Sequence, residues 1–281
     1  MKTALVLFAA SLGSLASIAS AQPANPFFAF CMEVSDAKKR DLTQQAALLK
    51  ELGYDGAGHL WLDQVSERLK TLDAAGLKLF QIYVRVDLGK NPTALDPKLR
   101  EVLPLLKDRG VILGVLMSGA KPSDVSVDDR AVAILREMAA LAEPQGVRLA
   151  LYPHRGDWLE KTADAIRVAA KVDRANVGIM FNQCHWMASE DEAQLDAVLD
   201  AAMPRLFAVS ICGSDTPAEI KSGKGKWIQP LGQGSYDVQR LMQKLWARGY
   251  KGPVGLQCYG LPGDAQVHLA QSIAAWKKMK R

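Results

Sequence analysis

Eight apolar segments of strand length alternate with eight amphipathic segments of helical period in this chain of 281 residues. The strand-like segments are PFFAFCME, YDGAGHLW, LKLFQIYVRVDL, VILGVLMSG, VRLALYPH, NVGIMFN, LFAVSICG and GPVGLQCYG. Several of the helical segments end at a glycine, such as Gly53, Gly76 and Gly110, which is typical of a helix C-terminus. Strands that alternate with helices form parallel sheets, and eight such units in about 250 residues predict an α/β fold, a single (β/α)8 TIM barrel.

An open, doubly wound sheet is the alternative fold for such an alternating pattern. That fold usually carries a glycine-rich loop after its first strand, and the segment CMEVSDAKK has no glycine. The units form one unbroken series without a linker of low complexity. We therefore predict one barrel domain that covers residues 22–281.

The first 21 residues have the pattern of a secretory signal peptide. Lys2 precedes an apolar stretch from Ala4 to about Ile18, and Ala19-Ser20-Ala21 fits a small-x-small cleavage site. This stretch is shorter than a membrane span, and no later segment is long and apolar enough to cross a bilayer. We expect cleavage after about Ala21 and a secreted or periplasmic protein without a membrane span in the mature chain.

The charge pattern argues against nucleic acid as a partner. The formal net charge is +5 at pH 7, but the basic residues are scattered and are not interleaved with aromatic residues. The hydrophobic fraction of 49% and the charged fraction of 23% are ordinary for a globular protein. We expect the partner to be a small molecule, bound at one end of the barrel.

Polar residues follow the predicted strands at the end where a barrel of this type places its active site. They are Glu33, His59, Arg85, Ser118, Tyr152, His154, Asn182, His185, Ser210, Asp215, Gln257 and Tyr259. These residues offer many hydrogen-bonding groups within a small area. Such a rim is suited to binding the hydroxyl groups of a carbohydrate.

Three residues of this rim are candidate catalytic groups. Imidazole titrates near neutral pH, so His154 and His185 can serve as general base and general acid. The alternative is that both are packed histidines that orient their loops. Glu33 can abstract a proton beside a carbonyl if burial raises its pKa, or it is a solvated loop acid.

The other rim residues are candidates for substrate binding. Arg85 can polarise a carbonyl or hold an anionic group, and the alternative is an ion pair with Asp87 or another acid of the rim. His59 is either structural or faces the substrate.

The four cysteines, Cys31, Cys184, Cys212 and Cys258, contain no C-x-x-C pair, which leaves a structural zinc site with little support. Neighbouring strands would let Cys31 approach Cys258 and Cys184 approach Cys212, and export permits disulfides. Free buried thiols are favoured, because strand ends need not meet the geometry of a disulfide. A nucleophilic Cys184 beside His185 is disfavoured, because neighbours on an extended segment point apart.

The chain resembles the xylose isomerase-like TIM-barrel superfamily, which includes sugar-phosphate isomerases and epimerases. The resemblance covers essentially all of residues 22–281 and is most specific in the second half. It is carried there by GVRLALYPH, NVGIMFNQCHW, LFAVSICGSD, IQPLGQGSYDV and GYKGPVGLQCYG, in the order and spacing of the family. It is closest to a secreted branch of that superfamily with altered metal-ligand positions.

The resemblance also implies where a metal would be bound. Metal-dependent members hold a divalent cation with a Glu, an Asp, a His and a Glu at the ends of strands five to eight. These positions fall on Tyr152, Asn182, Ser210 and Gln257, while His154 and His185 match accompanying histidines. Four neutral side chains make a poor cage for a hard cation, so we predict no metal ligand among them.

A relocated divalent metal is a remaining alternative for the cofactor. His154 and His185, together with Glu33 or Asp215, would suit zinc or another transition metal. We rank this arrangement below a metal-free site and expect no cofactor.

The resemblance and the rim together predict a secreted enzyme, isomerase- or epimerase-like, that acts on a carbohydrate by proton abstraction beside a carbonyl. In this prediction Tyr152, Asn182, Ser210, Gln257, His59 and Arg85 bind the substrate. One alternative is a lyase or hydratase that acts on keto-glycosides. Another is a barrel that binds sugar without catalysis.

Overall fold

A computed structural model describes residues 25–89 and 95–280 of the chain; the expected signal peptide, residues 1–21, lies outside the described residues. Eight parallel strands pair in chain order, and the last strand pairs with the first to close a barrel. The strands are β1 Phe27–Phe30, β2 Gly56–Leu60, β3 Lys78–Asp87, β4 Ile112–Ser118, β5 Arg148–Leu151, β6 Val177–Asn182, β7 Leu206–Ile211 and β8 Val254–Gln257. The predicted single (β/α)8 TIM barrel is therefore confirmed.

Ten α-helices surround the barrel within the described residues. They are α1 Leu42–Leu52, α2 Val65–Ala75, α3 Lys98–Val102, α4 Asp128–Ala142, α5 Thr162–Val172, α6 Gln183–Ser189, α7 Leu195–Ala202, α8 Pro217–Lys221, α9 Val238–Ala247 and α10 Ala265–Lys278. Local sequence sets many of their ends. The Asp41 carboxylate accepts from the Gln44 backbone N–H before α1, and Gly53 ends that helix with a φ of 82°.

The strands are buried on both faces, which explains why their sequences are almost continuously apolar. Their outer faces and the inner faces of the helices form the main core. Inside the barrel, a second cluster contains Phe28, Phe30, Tyr83 and Met180. This interior needs a glycine at position 114, because a Cβ there would lie 2.9 Å from the Tyr83 ring.

Two expectations about helices are wrong in detail. The helical segment that ends at Gly110 does not form a single α-helix, because α3 ends at Val102 and a 3-10 turn follows over Leu103–Leu106. Pro104 lies in that turn and cannot donate a backbone hydrogen bond, so a regular α-helix does not continue. The segment after β6 was treated as extended, whereas it forms α6.

Membrane spans were searched for among the described helices. Each of these helices is too short or too polar to cross a bilayer.

Candidate active site

A cavity of about 680 Å³ opens at the carboxyl ends of the strands. Five of the predicted site residues line it, namely Arg85, Tyr152, His154, His185 and Gln257. Trp61, Trp227 and Tyr259 complete its walls with aromatic rings, and Trp61 and Tyr259 are 43% and 56% exposed. Exposed aromatic faces beside hydrogen-bonding groups are suited to a ring that carries hydroxyls.

His154 and His185 contact each other in this cavity. His154 lies in the loop after β5, where its backbone N–H donates to the Leu159 carbonyl at 2.9 Å. His185 lies in the first turn of α6, whose N-cap residue Asn182 accepts from the His185 backbone N–H at 3.4 Å. Their ring centroids are 4.1 Å apart. Two neighbouring strand ends thus bring the two imidazoles to one side of the cavity.

An ion pair lies beside this histidine pair. Arg85 Nη1 donates to both oxygens of Asp157, at 2.9 and 2.8 Å. Asp157 Oδ2 also lies 3.5 Å from His154 Nδ1, but the geometry is not that of a hydrogen bond. Arg85 therefore forms an ion pair with an acid of the rim, which was the alternative to a substrate-binding role. The partner is Asp157 and not Asp87.

The two histidines differ in their protonation. Burial, with help from His185 and Arg85, lowers the pKa of His154 to about 4, so this imidazole is neutral near pH 7. Burial opposes charge on His185 as well, but Cys184 and Asp157 outweigh it and raise its pKa.

The position of the proton on His185 follows from its hydrogen bond. The Arg155 backbone N–H donates to His185 Nδ1 at 3.3 Å, which keeps the proton of the neutral ring on Nε2. In the charged ring Nε2 also carries a proton. His185 therefore presents an N–H donor in either state, next to a neutral His154 that can accept a proton.

The lowered pKa of His154 has a consequence for stability. Between pH 6.5 and about 4 the unfolded chain binds a proton at this residue that the folded chain excludes, so stability falls as the pH falls. A third of the side chain is exposed, which reduces the effect to about 2 kcal/mol. We expect the wild type to lose that much more unfolding free energy between pH 7 and pH 4.5 than His154→Gln. Urea denaturation at both pH values measures it, and equal losses would contradict the pKa.

The four positions that the resemblance assigns to metal ligands form a neutral cluster. Asn182 Nδ2 donates to the Tyr152 hydroxyl oxygen at 2.5 Å, and Gln257 Nε2 donates to the same oxygen at 3.4 Å. Ser210 is buried nearby on β7, and its Oγ has no hydrogen-bond partner among the described residues. The Tyr152 hydroxyl oxygen thus accepts hydrogen bonds from both amides. These residues do not fit a divalent cation, which requires anionic or strongly basic ligands.

The relocated metal site is not supported by the arrangement of the side chains. Among residues 25–89 and 95–280, no three His, Cys, Asp or Glu side chains are grouped so that they could hold a metal ion. Glu33 lies in a different groove from the two histidines. The Asp215 carboxylate accepts instead from the backbone N–H groups of Lys226 and Ser235.

Glu33 and His59 lie in a neighbouring groove, which shares only Leu60 and Trp61 with the main cavity. Glu33 is in a 3-10 turn after β1, where burial raises its pKa. His59 is held between Arg68 Nε, which donates to its Nδ1 at 3.3 Å, and the Asp63 carbonyl, 2.6 Å from its Nε2. Both ring nitrogens therefore have hydrogen-bond partners within the protein. This agrees with a structural role for His59 and not with one in which it faces the substrate.

All four cysteines are buried, free thiols, the favoured alternative for them. The reason given against Cys184 as a nucleophile was wrong, because Cys184 and His185 lie in α6 and not on an extended segment. The Cys184 thiol instead donates to Asn182 Oδ1 at 3.1 Å. Cys184 helps to raise the pKa of His185 but does not line the cavity.

Asp157, Trp61 and Arg155 lie at the site but were not predicted from the sequence. Asp157 follows His154 by three residues, and an acid at this spacing in a loop is the signal that was available. Arg155 lies with its guanidinium carbon 4.4 Å from the centroid of the Trp227 ring and forms part of the cavity wall. No local pattern in the sequence identifies that contact, because 72 positions separate the two residues.

The closed barrel with a cavity at the carboxyl ends of its strands defines an α/β-barrel protein. The model of the xylose isomerase-like TIM barrel family matches residues 46–279, and the chain belongs to this family.

Several known proteins are similar to the chain. An inosose dehydratase from Serratia proteamaculans (strain 568) is 27% identical over 127 residues, 41% of this chain. The match spans only 42% of that relative. An L-ribulose 3-epimerase structure is 17% identical and superimposes with a TM-score of 0.68 over 89% of this chain and 92% of its own.

A 3-keto-D-glucoside 4-epimerase from E. coli is 16% identical, with a TM-score of 0.68 over 90% of this chain and 98% of its own. At these identities the structural similarities show the fold. The predicted isomerase- or epimerase-like enzyme agrees with the names of the two epimerases, and the lyase alternative agrees with the name of the dehydratase.

Proposed function

We propose that this chain is an enzyme that acts on a keto-sugar or a related cyclic ketone by removing a proton from the carbon beside the carbonyl. The contact between His154 and His185 on the wall of the cavity supports this proposal most directly. It places a neutral base and an N–H donor side by side, and proton transfer of this type contributes about 10²–10⁴-fold to a rate. The names of the epimerase and dehydratase relatives support the same class of substrate.

In this mechanism the neutral His154 takes the proton from carbon as the C–H bond breaks. The electron pair moves into the C–C bond and the charge develops on the carbonyl oxygen, which gives an enolate. His185 donates its Nε2 proton to that oxygen, which gives an enediol. The hydroxyl on the deprotonated carbon then returns a proton to His185 and becomes the new carbonyl, while His154 returns its proton to the former carbonyl carbon, so both histidines regain their starting states. Trp61 and Trp227 exclude water from the faces of the ring, and this strengthens the interactions within the cavity.

The contact of the two imidazoles also restricts the stereochemistry. Rings with centroids 4.1 Å apart reach a substrate from the same side. Inversion of a carbon by two groups needs an acid and a base on opposite faces, whereas isomerisation through an enediol proceeds on one face. We therefore propose isomerisation as the first outcome for this site.

Elimination is the second candidate, and the similarity to inosose dehydratase favours it. After His154 removes the proton, His185 can protonate a hydroxyl on the adjacent carbon, and the C–O bond breaks to release water. The proton count is balanced, because one proton leaves carbon and one joins the departing hydroxyl. A base and an acid on the same side suit a syn elimination.

Deuterium exchange followed by NMR tests the proposal. The purified protein is incubated in D₂O with D-tagatose, D-allulose, methyl 3-keto-D-glucoside and inosose. Exchange at the carbon beside the carbonyl is expected for at least one of them, with an isomer or a dehydrated product. An epimer would contradict the same-face assignment, and binding without any exchange would overturn the proposed reaction in favour of a sugar-binding barrel.

We further propose that the enzyme is exported, because residues 1–21 have the pattern of a signal peptide. Expression with a C-terminal tag in a Gram-negative host should give a periplasmic product that begins at about Gln22. N-terminal sequencing of the fractionated protein measures this. An intact chain that starts at Met1 in the cytoplasm would show that the segment is not cleaved.

A further inference from the structure

The hydrogen bonds of two amide side chains fix the orientation of the Tyr152 hydroxyl. Asn182 Oδ1 accepts from the backbone N–H of His185 and from the Cys184 thiol, which turns Nδ2 toward Tyr152. Gln257 Oε1 accepts from the Tyr259 backbone N–H at 3.0 Å, which turns Nε2 toward the same phenol. Backbone donors thus determine which end of each amide faces Tyr152.

Two N–H groups therefore point at one phenolic oxygen. The lone pairs of that oxygen accept from Asn182 and Gln257, and its own hydrogen points away from both amides. Among the described residues, the Tyr152 O–H donates to no protein acceptor. Tyr152 lines the main cavity, and its ring centroid lies 6.2 Å from His154 and 5.9 Å from His185. An unused donor on a buried side chain of the cavity wall is a group that a ligand oxygen can satisfy.

We propose that the Tyr152 hydroxyl donates a hydrogen bond to the carbonyl oxygen of the substrate and stabilises the enolate that forms when His154 removes the proton. This inference rests on the proposed function and assigns a catalytic residue to it. In the reaction the C–H proton moves to His154 and the negative charge on oxygen is held by the Tyr152 O–H, which stays covalently intact. Preorganised donors of this kind typically contribute about 10²–10³-fold to a rate.

The charge state of Tyr152 is consistent with this role. Burial raises its pKa well above the usual value for a phenol, so Tyr152 remains a donor at neutral pH. The donor stands where the resemblance implies a metal ligand, and the neutral cluster does not fit a cation. A hydrogen-bond donor thus takes the electrophilic role in this chain.

The test compares two tyrosine variants in the deuterium-exchange assay. Tyr152→Phe is expected to lower kcat by about 10²–10³-fold with KM changed less than about 3-fold, because the hydrogen bond strengthens as charge develops. The matched control is Tyr54→Phe. Tyr54 is also buried but lies outside the main cavity, and its hydroxyl already donates to the Leu269 carbonyl at 2.9 Å. The control is expected to keep kcat within about 3-fold.

A second variant guards against misfolding of Tyr152→Phe, which leaves two amides without an acceptor. Gln257→Met removes one N–H that orients the phenol and should lower kcat about 10-fold with KM nearly unchanged. Equal kcat in wild type, Tyr152→Phe and Gln257→Met would overturn the inference while leaving the proposed function intact. A wild type without exchange would instead overturn the proposed function.

Metal analysis completes the test. Wild-type exchange is expected to survive treatment with EDTA. A stoichiometric divalent ion that resists dialysis, together with loss of exchange after chelation, would show that a metal and not Tyr152 is the electrophile.

Discussion

His154→Gln is expected to lower the rate of deuterium exchange by about 10²–10⁴-fold, because the variant lacks the base that takes the proton from carbon. Glutamine keeps a similar size and hydrogen-bonding capacity but does not accept a proton near neutral pH. Exchange into the substrate and formation of product should both be lost. The measurement is the NMR signal of the proton beside the carbonyl over time.

His185→Gln should behave differently if the two imidazoles have separate roles. Carbon deprotonation by His154 continues, so exchange into recovered substrate persists while product formation falls. Loss of both signals in both variants would contradict the division into base and acid. His268→Gln is the matched control, because His268 is a buried histidine in α10 outside the cavity. Its exchange rate should equal that of the wild type.

The pKa of His154 should determine how kcat/KM declines on the acidic side of its pH profile. Since burial lowers the pKa of His154 to about 4, the wild type should keep its kcat/KM well below pH 6.5, where an ordinary imidazole would already be protonated. A decline that begins near pH 6.5 would show that His154 is not the base. The profile in His268→Gln should follow the wild type.

The barrel and much of the site follow from the sequence for simple reasons. Alternating apolar and amphipathic segments require buried strands covered by helices, and strand ends in a parallel barrel converge at one edge. The rule predicted that Tyr152, His154, His185 and Gln257 lie together, and in the structure all four line one cavity. Their ring contacts and hydrogen bonds needed the structure.

The same reasoning did not place Glu33, and the cause is the local backbone. Cys31 adopts a left-handed conformation with a φ of 60°, and the 3-10 turn that follows directs Glu33 into the neighbouring groove. Hydrophobic periodicity contains no information about such a turn. For α6 a signal existed, because Asn182 is a favourable N-cap residue directly before the helix.

The loop that carries His154 depends on one buried tryptophan. Trp158 is 0% exposed, and its Nε1 donates to the Asp124 carbonyl at 2.7 Å. Trp158→Ala removes a large core side chain and leaves that carbonyl without its partner. We expect a loss of about 3–5 kcal/mol in the free energy of unfolding, or about 10 °C in Tm.

Trp61→Ala is the matched control for this loss, because Trp61 is 43% exposed on the cavity wall. Its replacement should change the free energy of unfolding by less than about 1 kcal/mol and should weaken substrate binding. Thermal and urea denaturation of both variants measure the difference. Equal destabilisation would mean that Trp158 does not anchor the loop. A larger loss in Trp158→Ala, with a lower exchange rate in the protein that remains folded, would link the core behind β5 to the position of the catalytic base.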